Sequence, residues 1–372
     1  MSNSIAPAAI GPQRPKSPRA IAAWLLVCCA LLLAMIVLGG VTRLTHSGLS
    51  IVEWQPIAGT LPPMSPDGWT QMFRKYQATP EYRLVNHGMG LEEFRSIFWW
   101  EYFHRLLGRA IGFVFLAPLV WFAARRSIPA GLAPRLVGLF VLGGAQGAMG
   151  WYMVMSGLVH DPHVSALRLA AHLALALLLF GAMLWTALTL LHPARGARSK
   201  AVASVARWSA TLSALVFVMA LSGALVAGVR AGLIYNTFPL MNGYVVPPEL
   251  LSLQPWYRNV FQNLATVQFD HRVIAWTLIV LVPSFWWRAR SIAGVPRRAR
   301  TAVNLLLAML ALQVSLGIGT LLLVVPVGLA AMHQAGAVLL LASALNATHA
   351  LFAGSSSPRI PRYPGQSFAA SA

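Results

Sequence analysis

The sequence predicts an all-α integral membrane protein of eight transmembrane helices, arranged as two tandem, pseudo-symmetric four-helix bundles. Three observations predict it. Of 372 residues, 57% are hydrophobic and only 10% charged, with a mean hydropathy of +0.65, a balance foreign to soluble globular chains. Eight apolar runs are each long enough to cross a bilayer, which takes about 20 residues. The last four runs repeat marks of the first four at matching positions, the signature of a parallel internal repeat.

Charge and cysteine usage narrow the class further. Lys and Arg number 28 against 9 acids, a formal charge of +19. These bases are scattered between apolar runs rather than gathered in a patch, which argues for membrane lipid and against nucleic acid as the partner. The two cysteines, Cys28 and Cys29, are adjacent within an apolar run and offer neither a disulfide framework nor a CxxC metal site.

Residues 1–20 are rich in Pro, Ser and Ala, carry Arg14, Lys16 and Arg19 and no acid, and read as a disordered cytoplasmic tail. The first apolar run is long and lacks a clear cleavage site, so no cleaved signal peptide is expected. Residues 21–191 form the N-terminal bundle, with spans near 21–41, 97–123, 136–156 and 165–191. A cytoplasmic linker at 192–207 leads to the C-terminal bundle, 208–352, with spans near 208–229, 264–287, 302–325 and 329–350. The last two spans form a tight hairpin, and 353–372 is a second cytoplasmic tail. Most of the basic residues lie on the side of both tails, while all nine acids lie on the other side with the long loops 43–96 and 230–263. Positive charge therefore marks the cytoplasmic face.

The repeat is legible residue by residue. GGVTRLTHSGL at 39–49 aligns without gaps to GALVAGVRAGL at 223–233. His104-Arg105 recurs as His271-Arg272, and Gln146-xxx-Gly150 as Gln313-xxx-Gly317. Leu169-Ala-Ala-His172 recurs as Leu329-Ala-Ala-Met-His333. Four histidines, His104, His172, His271 and His333, thus stand one or two turns inside the outer ends of spans two, four, six and eight. Each bundle has two imidazoles at similar depth, a donor set suited to the two axial positions of a haem iron. Gly108, Ala176, Ala275 and Ala337 follow them at i+4 and would leave room for a flat macrocycle. His46, His87, His160 and His163 lie in outer loops and receive no role, nor do His192 and His349.

Chemistry concentrates where the second span begins. Glu101, His104, Arg105 and Arg109 fall at i, i+3, i+4 and i+8 and share one helix face. An ionisable cluster at the mouth of a span marks a functional site by default. The repeat places neutral Gln268 where Glu101 stands, so only the first half has a carboxylate one turn from its histidine. Glu101 is the candidate catalytic residue, as a base that activates water or as an anion that stabilises developing positive charge. Arg105, Arg109, Arg168 and Arg272 stand near the outer mouths, suited to carboxylates such as haem propionates.

The series GGVTRLTHSGLSIVEWQP, PEY and GMGLEEFRSIFWWEYFHRLLGR, followed by His172, His271-Arg272 and His333-Gln334, resembles the haem A synthases of the proteobacterial and mitochondrial type. It covers nearly the whole chain except the tails and lacks the outer-loop cysteine pairs of another bacterial branch. The resemblance implies oxidation of a ring methyl of haem O to a formyl group via hydroxylated intermediates, with water as the oxygen source. It implies that His104 and His172 hold the substrate haem and that His271 and His333 hold a resident haem b. On that basis Arg272 would pair with the haem b propionates, and Arg105, Arg109 and Arg168 with those of the substrate. The implied setting is the bacterial inner (cytoplasmic) membrane, with the mitochondrial inner membrane as the alternative. Haem O synthase, the terminal-oxidase assembly machinery and an unidentified electron acceptor are the implied partners. The competing reading is a di-haem b-type electron carrier, which would use the same four histidines without needing Glu101. A transporter would explain the repeat but would show broken helices near the bilayer centre.

Overall fold

The computed structural model describes residues 17–54, 58–158, 164–194 and 199–353. Among these the chain is helical, with a single isolated β-bridge between Met241 and Tyr244. Eight helices are long and apolar enough to cross a membrane: Pro18–Leu44, Leu91–Ala124, Ala133–Met155, Ala166–Leu191, Lys200–Gly228, Leu264–Ser291, Arg297–Leu322 and Val327–Phe352. This is the multi-pass, all-α class the composition predicts. Two boundaries differ from expectation for identifiable reasons. The fifth span begins at Lys200, so Lys200–Arg207, expected in the linker, are its first two turns. Ser199 starts it early by accepting a hydrogen bond from the Val202 amide at 3.2 Å.

The second span begins at Leu91 and runs 34 residues, about 50 Å at 1.5 Å per residue, against about 30 Å of hydrocarbon. Its outer turns therefore stand clear of the bilayer, and an aromatic cap condenses on them. Two short helices, Pro66–Gln77 and Pro80–Leu84, start with Ser65 and Thr79 as side-chain caps. They bring Tyr76 and Phe73 within 5.2 and 5.3 Å of Phe94, ring centre to ring centre. Trp69 meets Phe98 edge-on at 4.9 Å. Burying large apolar rings with defined geometry is what holds such a small outer layer in place.

Pro118 lies inside the second span, and a proline cannot donate to the carbonyl four residues earlier. That carbonyl belongs to Val114, and the Trp24 indole of the first span donates to it at 2.8 Å. A freed backbone group at membrane depth is thus satisfied by a neighbouring helix.

Within each half the helices neighbour one another in a ring. The first span packs on the second and fourth, and the third on the second and fourth. The fifth packs on the sixth and eighth, and the seventh on the sixth and eighth. The halves meet where the first span touches the eighth and the fourth touches the fifth and eighth. The eighth span is the most enclosed, with 61% of its apolar window buried, whereas the third buries 6% and faces outward. At the outer end of this junction Arg230 Nη2 donates to His46 Nδ1 at 3.4 Å. These two residues occupy the same position in the repeat, and both adopt positive φ, 59° and 53°.

Candidate functional site

Each of the four intramembrane histidines projects from an even-numbered span onto a glycine of an odd-numbered one. A β-carbon on Gly39 would lie 2.7 Å from His104 Cε1. The corresponding distances are 2.9 Å for Gly150 and His172, 2.8 Å for Gly317 and His333, and 3.3 Å for Gly223 and His271. Only glycine lets the first three rings lie where they do. Gly39 aligns with Gly223 and Gly150 with Gly317, so the notches obey the same repeat as the histidines. These notches escaped the reading of the sequence, although the aligned glycines were its visible signal. By contrast, the open side of Gly108, expected to leave room for a macrocycle, faces the Met35 methyl.

The imidazoles pair within each half, His104 interacting electrostatically with His172 and His271 with His333. All four residues are half-buried. The Nδ1 atoms of His104, His172 and His333 are buried without a hydrogen-bond partner, whereas His271 Nδ1 meets Ser222 Oγ at 2.8 Å. Gln146 Nε2 faces His172 Nε2 at 3.3 Å, while its repeat partner Gln313 donates to the His333 carbonyl at 2.9 Å. Buried ring nitrogens without partners ask for a ligand. Among the described residues, no group of three His, Cys, Asp or Glu gathers as a polyhedral ion would require. Two imidazoles per half, each on a glycine floor, fit axial ligation of a macrocycle's iron instead.

Glu101 is 3% exposed and fully engaged. Arg105 donates to its Oε1 through Nε at 3.0 Å and Nη2 at 2.7 Å. The Ser50 hydroxyl and Ile51 amide donate to Oε2 at 2.7 and 2.8 Å. Arg105 also donates to the carbonyls of Ile51 and Glu53 at 2.6 and 2.8 Å. The pair therefore clamps the outer loop that follows the first span. The second half builds the same clamp without the carboxylate. Gln268 Nε2 donates to the carbonyls of Ala231 and Ile234 at 2.8 and 2.7 Å. Arg272 reaches the Tyr235 and Thr237 carbonyls at 2.7 and 3.0 Å. Exchanging a donor for an acceptor at one position turns a clamp with an uncompensated guanidinium into an ion pair.

The remaining residues singled out from the sequence are dispersed. Arg109 lies one turn deeper than Arg105. Arg168 donates to the Tyr152 carbonyl at 2.9 Å and stacks its guanidinium 3.9 Å from the Tyr152 ring centre. His160 and His163 lie outside the described residues. His87 stands beside Tyr82 in the cap. His349, at the other end of the eighth span, accepts from Arg298 at Nδ1 and faces Thr189 at Nε2, both at 3.3 Å.

One more carboxyl escaped the sequence reading. Glu81 of the Pro80–Leu84 helix is 5% exposed, and its Oε2 has no hydrogen-bond partner. Burial, and next the charge of Glu101, push its carboxyl up to about 8 against the opposing pull of Arg230.

Comparison with known proteins places this architecture. The family described as cytochrome oxidase assembly protein (COX15-CtaA) matches residues 22–345. A protein of Nitrosospira multiformis named heme A synthase is 59% identical over 332 residues, 89% of this chain and 93% of its own length. Proteins of the same name from Nitrosomonas eutropha and Paramagnetospirillum magneticum are 53% and 50% identical, over 92% and 90% of this chain and 97% and 94% of theirs.

Proposed function

The chain belongs to the haem A synthase family, and from that premise we propose that it oxidises a ring methyl of haem O to a formyl group. The reaction passes through hydroxylated intermediates and takes its oxygen from water. The observation that carries this reading is the presence of two paired-imidazole sites of which only one has a carboxylate a single turn away. His104 and His172 bind the substrate haem O, and His271 and His333 hold a resident haem b. When bound, the iron supplies the redox centre through which electrons leave for an external acceptor.

This chain's own residues do the rest. The glycine notches fix the imidazole planes. Ser222 orients His271 through Nδ1. Arg105 and Glu101 hold the 50–53 loop over the outer mouth of the first site, and Arg272 and Gln268 hold 231–237 over the second. Four donors on its two oxygens favour Glu101 as a fixed anion facing charge that develops at the oxidised methyl, more than as a base. Arg109 and Arg168 remain the candidate partners of the substrate propionates. Arg105 and Arg272 would have to exchange a loop carbonyl for a propionate. The setting is the bacterial inner membrane, beside haem O synthase and the oxidase assembly machinery.

Pigment extraction after supply of haem O tests cofactor and reaction together. The expected result is haem A in the extract and haem b retained by the protein. Haem b alone, with haem O recovered unchanged, would favour the electron carrier and sink the synthase reading.

A further inference from the structure

We infer that Glu81, buried in the outer cap with one carboxyl oxygen free of hydrogen bonds, is a proton-relay carboxyl for the first histidine site beside the ion-paired Glu101. The inference rests on the synthase reading, because a relay needs a reaction that releases protons. Oxidising a methyl to a formyl group with water (R–CH3 + H2O → R–CHO + 4 H+ + 4 e−) sends electrons to a one-electron acceptor and leaves the protons to be carried off. Glu101 is badly placed to carry them. Its Oε1 takes two bonds from the Arg105 guanidinium, and its Oε2 takes the Ser50 hydroxyl and the Ile51 amide.

Glu81 has what Glu101 lacks. It is buried in the outer cap, its Oε2 is free of hydrogen bonds, and it is close enough to Glu101 for the two charges to interact. The groups that bear on it are identifiable on every side. Glu101 interacts with it from the second span, Arg230 from the segment after the fifth, and Tyr76 from the cap itself. Arg230 in turn interacts with Arg43 and His46. Desolvation together with a neighbouring carboxylate favours the neutral acid, and Arg230 keeps the charged form within reach. A neutral carboxyl accepts a proton on one oxygen as it releases one from the other, so no net charge is left in the cap. A carboxyl with a free oxygen beside one held in an ion pair is an arrangement by which one site holds both an acid and an anion. The second half has no counterpart. The acid of its outer loop, Glu249, is exposed and already bonded to the Tyr235 hydroxyl.

The test is infrared titration of the full-length purified protein together with turnover against pH, on wild type and Glu81→Gln. The wild type is expected to show the carbonyl band of a protonated carboxyl that fades with a midpoint of about 8 and is missing in the variant. Turnover of the variant should fall roughly 10-fold to 100-fold, with its haem b spectrum unchanged. A variant that keeps the band, or that turns over at the wild-type rate with the wild-type pH profile, overturns the relay. Should Glu81→Gln not accumulate, Glu81→Asp keeps a carboxyl at the same place, and its band must shift; an unmoved band overturns the assignment. A wild type that makes no haem A would instead overturn the synthase reading, and the relay with it.

Discussion

Replacing Gly39, Gly150 or Gly317 with alanine distinguishes a histidine that merely packs from one that must lie flat on its neighbour. Each new methyl would stand less than 3 Å from an imidazole carbon, and overpacking of this kind costs about 1–3 kcal/mol or turns the ring away. Gly317→Ala should lose the resident haem b spectrum. Gly39→Ala and Gly150→Ala should keep it but fail to take up haem O. Gly223→Ala, at 3.3 Å, should be the mildest of the four, and absorption spectra of the purified variants would show any other order. His271→Ala and His333→Ala should each remove haem b outright. Glu101→Gln should keep haem b and lose turnover by on the order of 100-fold; normal haem A production would reduce Glu101 to a loop clamp. Glu81 adds a pH signature. Its carboxyl is raised from 4.5 to about 8 in the fold, so between those values the native state binds more protons than the unfolded one. Its contribution is full below 4.5 and is lost as pH rises through about 8. Thermal unfolding of Glu81→Gln should lack that part of the pH dependence. The pairing of the four histidines was legible in the sequence because they recur at matching positions of the repeat. Glu81 was not, because its burial in the outer loop is a product of tertiary packing that residue spacing does not register.

Helix–helix contacts that compensate for proline are testable in the same way at the scale of elements. Trp24→Phe keeps most of the apolar area but strands the Val114 carbonyl that Pro118 leaves free. The cost should be about 1–3 kcal/mol, the desolvation penalty of an unpaired buried acceptor. In a Pro118→Ala background the helix supplies its own donor, so the same change should cost clearly less. Equal costs in the two backgrounds, measured by denaturant unfolding in detergent, would assign the Trp24 effect to packing alone. The eight spans were legible because about 20 apolar residues in a row have few alternatives. Their ends were not. The fifth helix begins in polar sequence because Ser199 caps it, and the second extends outward because the cap packs on Phe94 and Phe98. Both depend on side-chain contacts that hydropathy does not register.

At the scale of the whole molecule the repeat accounts for how the halves meet. The first span against the eighth and the fourth against the fifth are the same contact exchanged by the repeat, and His46 meets its own counterpart, Arg230. A parallel repeat keeps both sites at the same depth and opening to the same face, so the orientation of one decides that of the other. The distribution of charge predicts that face. All nine acids, the aromatic cap and both loop clamps lie opposite the side that carries most of the Lys and Arg, and positive residues are retained in the cytoplasm. The two sites should therefore open away from the cytoplasm, with both termini inside. Single cysteines at Ser65 and Ser199 test this in intact cells with a membrane-impermeant thiol reagent. Both serines are exposed, and the native Cys28 and Cys29 are buried and stay silent. Both serines are also helix caps, so each substitution costs about 1 kcal/mol, small enough to leave the fold intact. Ser65→Cys should label from outside and Ser199→Cys only after lysis. The reverse pattern would turn the molecule over, put Glu81 and Glu101 on the cytoplasmic side, and require the released protons to leave inward.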